Sequence, residues 1–229
     1  MFYIDPVYFW YIFIPTLLIS LGVQVYLQST ARKWGAVKNK NGLTGSQVGK
    51  TLFERTSLEP IQLQHSPGTL SDHYDPRANV VRLSDSTYGQ QSVAAMAVTA
   101  HELGHVQQYQ TGSSLIGMRN ILMPALQFSP TISYFAILFG LFWNMTGLLW
   151  IGIGFFALMV LFSILTLPVE LDASRRGIKL LTEAGLLNDP QDAAGAKQML
   201  NAAALTYLAA AITSILQLLY YISVAQRRS

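Results

Sequence analysis

Residues 120–169, NILMPALQFSPTISYFAILFGLFWNMTGLLWIGIGFFALMVLFSILTLPV, run for 50 positions without an Asp, Glu, Lys or Arg. A helix needs about 20 apolar residues to cross a hydrocarbon layer roughly 30 Å thick, so this stretch suits a hairpin of two spanning helices better than one very long one. The turn is expected at Asn144-Met145-Thr146-Gly147, with Trp143 and Trp150 suited to an interfacial belt. Two more uncharged stretches, Pro6–Ala31 and Gln198–Gln226, flank the polar parts of the chain. The pattern predicts a mainly α integral membrane protein with four transmembrane helices, near Val7–Gln28, Leu122–Trp143, Leu149–Leu167 and Ala203–Val224. Only 12% of the residues are charged and 51% are hydrophobic, well away from the soluble average.

Composition also excludes some functions. There is no cysteine, hence no disulfide and no thiolate metal site; a metal here must use His and carboxylate. The formal charge of +3 is spread among acids between the apolar stretches, which gives nucleic-acid binding no support. No Asp, Glu, Lys, Arg or His lies inside a predicted span, which argues against a transporter; Gln217 and Asn201 read as interhelical hydrogen-bond partners. The opening Met1-Phe2-Tyr3-Ile4-Asp5-Pro6 lacks the basic region of a cleavable signal and reads as a retained anchor. Thirteen of the fifteen Lys and Arg fall in residues 32–119 and 170–197, which assigns those segments to the cytoplasm and leaves Arg227-Arg228 as the exception.

The expected layout is an anchor in 1–30, a cytoplasmic catalytic region in 31–118 and a transmembrane hairpin in 119–169. Cytoplasmic helices in 170–201 and a last membrane helix with a short tail in 202–229 complete it. Within 31–118, Val48, Leu52 and Phe53 have helical spacing behind a Thr44 or Ser46 cap, and the helix ends near Thr56-Ser57. Ile61–Gln64 alternates like a strand until His65-Ser66-Pro67-Gly68 breaks it. Asp72-His73-Tyr74-Asp75-Pro76 reads as a loop and Asn79–Ser84 as a short strand. A helix from about Gln91 to Gln108 ends at Thr111-Gly112. Past Pro168 a charged helix, Glu170–Glu183, is closed by Gly185, and Asp189-Pro190 starts a helix that continues into the last span.

The motif that carries chemistry is His101-Glu102-Leu103-Gly104-His105. On a helix, His101 and His105 at i and i+4 share one face, where two imidazoles can hold one zinc ion. Glu102, adjacent to His101, is then free to act as general base toward a water polarised by the metal. A catalytic zinc has three protein ligands and an open position. The third candidate is Glu170, with Asp172 as its rival. Candidate donors for the oxyanion of a tetrahedral intermediate are His73, Tyr74, Arg175 and Arg176. The alternative for His73 and Tyr74 is a turn held by Asp72 or Asp75; the two arginines would otherwise meet phosphate headgroups or pair with Glu170 or Asp172. His65, in a Pro-Gly loop, has no assigned role.

Four segments together, 72–76, 79–84, 100–105 and Leu167-Pro168-Val169-Glu170-Leu171-Asp172-Ala173-Ser174-Arg175-Arg176, resemble the YugP-like family of neutral zinc metallopeptidases of bacterial membranes. The resemblance continues through Leu200–Tyr207 and Leu218–Tyr221. That family is in turn similar to HtpX and the CAAX prenyl proteases, gluzincin-type membrane peptidases that take a third zinc ligand from Glu-x-x-Ala-Asp. Glu170-Leu171-Asp172-Ala173 matches this pattern and favours Glu170 over Asp172. Ser174 stands where those relatives carry an Asp that orients a zinc histidine, so the resemblance leaves Asp172 or Ser174 to replace it. It also implies that Val80–Ser84 is an edge strand that pairs with an extended substrate.

The expectation is a zinc metallopeptidase in the bacterial inner membrane, with a small α+β zincin-like region facing the cytoplasm. One Zn2+ is held by His101, His105 and Glu170, Glu102 is the base, and His73, Tyr74 and Arg175 are further catalytic candidates. Its substrates would be membrane-associated proteins or peptides, with the bilayer and a membrane partner protein as further contacts. The alternative is a zinc-containing scaffold or partner-binding membrane protein without proteolytic activity.

Overall fold

The computed structural model describes residues 5–228; the start of the anchor motif, residues 1–4, and Ser229 lie outside it. The protein is mainly helical, with one three-stranded sheet. Helix α1, Pro6–Gly35, opens with Asp5 Oδ1 accepting the Val7 N–H and Pro6 in the first turn; its aromatic segment Phe9–Phe13 is wound as a π-helix. Helix α2, Gly45–Arg55, begins with a reciprocal cap: Thr44 accepts from the Gln47 N–H while the Gln47 side chain accepts from the Thr44 N–H. Strands β1 (Gln62–His65), β2 (His73–Asp75) and β3 (Val80–Leu83) follow, then helix α3, Val93–Gln110, which is capped by Ser92 and ends at Thr111-Gly112 with Gly112 at φ +63°.

The sheet corrects two expectations. Its order is β1-β3-β2, with β1 parallel and β2 antiparallel to β3, so β3 is the central strand rather than an edge. The segment expected as a loop supplies the missing edge: His73 pairs with Arg82, Tyr74 with Val81 and Asp75 with Val80. Asp and Pro do form a turn there, but it comes after the strand, where Asp75 Oδ1 accepts from the Arg77 and Ala78 N–H groups. The buried Val80, Val81 and Leu83 explain why the most apolar strand is the central one.

Helices α4 (Ser114–Leu126) and α5 (Ser129–Phe142) together pass as one apolar span but bend by 51° at their break. The cause is Pro130, which has no N–H for the Leu126 carbonyl, so the helix restarts with proline in its first turn. The turn after α5 falls where expected, with Asn144 in the left-handed region at φ +56°. Helix α6, Thr146–Glu183, carries the third apolar stretch and the charged segment in one uninterrupted helix through Pro168. The proline costs one backbone hydrogen bond, and the turns on either side continue. Helix α7, Pro190–Arg228, starts at the Asp189 cap and continues into the last apolar stretch, as expected. Helices α1, α6 and α7 are each long and apolar enough to cross a membrane, and the bent α4–α5 pair would make a fourth span.

Two compact units result. One comprises the described residues up to 23, with 117–168 and from 206 onward; within it Arg228 donates to the Leu141 carbonyl at 3.0 Å and to Asn144 Oδ1 at 3.3 Å. The basic tail thus caps the carbonyl end of α5, a structural use for the cation that had no place in the charge pattern. The second unit, residues 24–116 and 169–205, holds the sheet, α2, α3 and the charged half of α6. Its core is formed by Val48, Leu52, Val81, Leu83, Leu103 and Leu180 among others, and Trp34 is fixed there by its indole N–H donating to Gln198 Oε1 at 2.8 Å.

Helix α3 approaches α6 backbone to backbone. A Cβ on Gly104 would strike the Ala173 carbonyl, and one on Gly177 would come within 2.7 Å of the Ala100 carbonyl oxygen. Gly104→Ala is therefore expected to destabilise the protein by about 1–3 kcal/mol, read as a lowered melting temperature in detergent. Gly89→Ala, where a Cβ meets nothing within 4 Å, should melt like the wild type. Equal melting of the two variants would refute the close packing.

Candidate metal centre

Helix α3 forms because Ser92 accepts the Ala95 N–H at its start and a run of Ala, Val and Met supplies a face that the core buries. His101 and His105 lie one turn apart at the edge of that buried face, with ring centroids 4.8 Å apart. Glu170 reaches them from α6. Its Oε2 lies 3.3 Å from His101 Nε2 and 3.4 Å from His105 Nε2, and the residue is only 5% exposed. These three donor atoms converge within 4.8 Å of one another. The buried Glu170 Oε2 receives no hydrogen bond in this arrangement.

A fully desolvated carboxylate oxygen without a donor is costly unless a cation completes it. The spacing suits one: a tetrahedral zinc with ligand bonds of about 2.1 Å sets its ligand atoms about 3.4 Å apart. Burial alone would push the Glu170 carboxyl up, but the two facing imidazoles outweigh it and hold the group well below the usual carboxylate range. Burial would lower His105 in turn, but Glu170 and Glu102 overcome this and raise it.

Glu102 is not one of the three converging groups. It is buried beside them, 7% exposed, and burial raises its carboxyl above the ordinary range; the imidazoles of His101 and His105 oppose the shift, and the charges of Asp72 and Glu170 add to it. Asp72 is itself held just before β2, accepting from the Ser84 N–H and the Ser84 hydroxyl, both at 2.8 Å.

These residues sit in a chain with clear relatives. The family described as "Putative neutral zinc metallopeptidase" matches residues 9–226. The chain belongs to that family. It is also 32% identical over 216 residues to the "Putative membrane protease YugP" of Bacillus subtilis (strain 168), an alignment that covers 94% of this chain and 96% of that protein. No solved structure matches.

In this member of the zinc metallopeptidase family, both histidines have partners at their far ring nitrogens. Ser174 Oγ stands 3.1 Å from His101 Nδ1, the position where the resemblance left the orienting group open. His105 Nδ1 lies 2.9 Å from Gln108 Oε1. The Gln108 amide can present only its oxygen there, because its Nε2 donates to the Val169 carbonyl at 2.9 Å and to Asp172 Oδ2 at 2.7 Å. His105 therefore donates from Nδ1 and keeps Nε2 toward Glu170. Asp172 does not join the converging donors; it holds Gln108 and pairs with Arg176 Nε at 2.7 Å. Burial would raise the Asp172 carboxyl, and these two partners lower it overall.

The remaining candidates lie elsewhere. His73 is exposed on β2, its Nδ1 2.9 Å from the Ser71 carbonyl oxygen. The Tyr74 hydroxyl donates to Asn79 Oδ1 at 2.9 Å, and its ring lies edge-on to Tyr109 of α3 at 5.3 Å. Arg175 is exposed and lines a cavity with Ser174 and Lys197. Sequence reasoning missed Gln108, though an amide three residues after a ligand histidine, on the same helix face, was a usable signal.

Replacing Glu170 with Ala should abolish tight zinc binding, while Gln108→Leu should weaken it about 10- to 100-fold by freeing the His105 ring. Competition with a chromogenic chelator measures both, and unchanged affinity in Gln108→Leu would refute the positioning role. Because the neighbouring Glu170 and Glu102 raise the His105 pKa, protons compete with zinc there as pH falls, and affinity should drop below that raised pKa by about tenfold per unit for one displaced proton.

Proposed function

We propose that the protein is a membrane-embedded zinc endopeptidase of the gluzincin type, with His101, His105 and Glu170 as ligands and Glu102 as general base. The observation that carries this reading is the buried carboxylate of Glu102 beside three converging donors of which it is not one. A structural zinc site closes its coordination with a fourth ligand and has no use for an adjacent base. That argues against the alternative of a non-proteolytic scaffold.

Bound at these residues, zinc would supply electrophilic polarisation of a water molecule and of the scissile carbonyl. Glu102 would accept the proton of that water on its carboxylate and return it to the leaving amine. Its raised pKa favours holding the proton between the two transfers. Ser174 and Gln108 keep the two imidazoles in register throughout.

An extended substrate would pair with the free edge of β2, which begins next to Asp72 and packs through Tyr74 on the histidine helix. His73 and Tyr74 flank that edge and are assigned to positioning the peptide; Arg175 is left out of the reaction. Glu170 follows the uncharged run of α6 directly, which favours membrane proteins and juxtamembrane segments as substrates. The Lys and Arg distribution supports a topology of four spans, with α4 and α5 as one bent crossing and this region on the cytoplasmic side of a bacterial inner membrane.

Glu102→Gln is expected to retain zinc and lose hydrolysis of casein or of co-reconstituted membrane proteins by about 10²- to 10⁴-fold. Proteolysis at the wild-type rate in this variant would sink the assignment.

A further inference from the structure

Beside the metal centre, within the same compact unit, lies a second cavity of ≈ 420 Å³ that the peptidase chemistry does not use. Arg175 and Ser174 of α6 and Lys197 and Asn201 of α7 line it, with Leu171 and Leu200 among its apolar walls; none of its lining residues is acidic. The volume lies within the range of small-molecule sites. Both cations are exposed, and neither forms an ion pair among the described residues, whereas neighbouring Arg176 is paired with Asp172 and Lys179 with Glu183. Two exposed cations from different helices, neither held in an ion pair, and one side-chain amide thus converge on a single concavity.

Their place along the helices specifies the ligand further. Arg175 comes six residues after Val169, the end of an uncharged run, or about 9 Å at 1.5 Å per residue. Lys197 immediately precedes the uncharged run 198–226. Lys197 therefore stands where its helix passes from hydrocarbon-length apolar sequence into the polar layer, which is some 5–8 Å thick on each face of a bilayer, and Arg175 starts just beyond that layer, within reach of it through its long side chain. A phosphodiester at that depth could take the Arg175 guanidinium, the Lys197 ammonium and the Asn201 amide, with its glycerol against Leu171 and Leu200.

We propose that this cavity binds the headgroup phosphate of an anionic phospholipid. The assignment rests on the membrane reading of α6 and α7 and is independent of the peptidase reaction. Its occupant would lie one side chain from the metal centre, because Ser174 lines the cavity and holds His101.

Native mass spectrometry of the full-length protein in neutral detergent tests it, with phosphatidylglycerol and phosphatidylcholine of identical acyl chains offered in equal amounts. Selective retention of phosphatidylglycerol is expected, weakened about fivefold in Arg175→Gln or Lys197→Gln and about 25-fold in the double variant. Lys179→Gln, which removes an exposed cation from the same helix outside the cavity, should retain the lipid like the wild type. Equal retention of the two lipids would overturn the proposal, as would equal losses in Lys179→Gln and the cavity variants. So would full displacement of phosphatidylglycerol by millimolar inorganic phosphate or by an acidic peptide. The single variants, each with one exposed substitution and a melting temperature checked against wild type, keep the test decisive if the double variant misfolds.

Discussion

The metal centre depends on how closely two helix backbones approach. Gly104 of α3 lies against the Ala173 carbonyl of α6, and Gly177 of α6 lies against the Ala100 carbonyl of α3. Side chains larger than hydrogen at these positions would push the helices apart. Because interiors are close-packed, such a shift could not be absorbed nearby. Glu170 reaches both imidazoles only because no Cβ intervenes at either crossing point. One of these glycines sits inside the His-Glu-x-x-His motif itself, so the residue that lets the helices meet and the two histidines proposed to bind metal share five positions.

Around that contact, several polar groups constrain one another. Gln108, fully buried, joins His105 to Asp172 and to the Val169 carbonyl; Asp172 joins Gln108 to Arg176; Ser174 meets His101. Glu170 Oε2, buried between the two imidazoles, has no hydrogen bond. A buried carboxylate oxygen left incomplete at the point where two imidazole nitrogens converge is where a cation would fit. The same network separates the two carboxylates by environment: imidazoles hold Glu170 ionised, while burial keeps Glu102 close to its proton. A ligand and a base need those opposite properties.

Much of this was legible in the sequence. The apolar runs located the long helices, Thr44 was one of two possible caps before the first polar helix, Asp189-Pro190 and Gly185 marked helix ends, and the spacing of His101 and His105 defined the ligand face. What stayed hidden depended on neighbours remote in the chain. Asp75-Pro76 announces a turn, but a three-residue strand before it forms only because Val80–Leu83 is there to pair with it. Pro168 looked like a boundary and Pro130 did not; the difference is that the helix rises through one and restarts at the other. Periodicity alone could not separate Glu170 from Asp172, since two positions on one helix differ in direction and only the partner helix decides which carboxylate meets the histidines.

The ligands are also far apart in the order of synthesis. His101 and His105 are made first, on a helix that can fold with its own cap, and Glu170 follows only after the 50 uncharged residues of the hairpin. A chain interrupted anywhere in between carries the motif but only two of the three converging donors. The candidate metal centre therefore cannot be complete on a ribosome-bound chain that has not yet passed its central apolar segment. The gene order of the helices by itself makes full assembly of the site a late event in the life of the polypeptide.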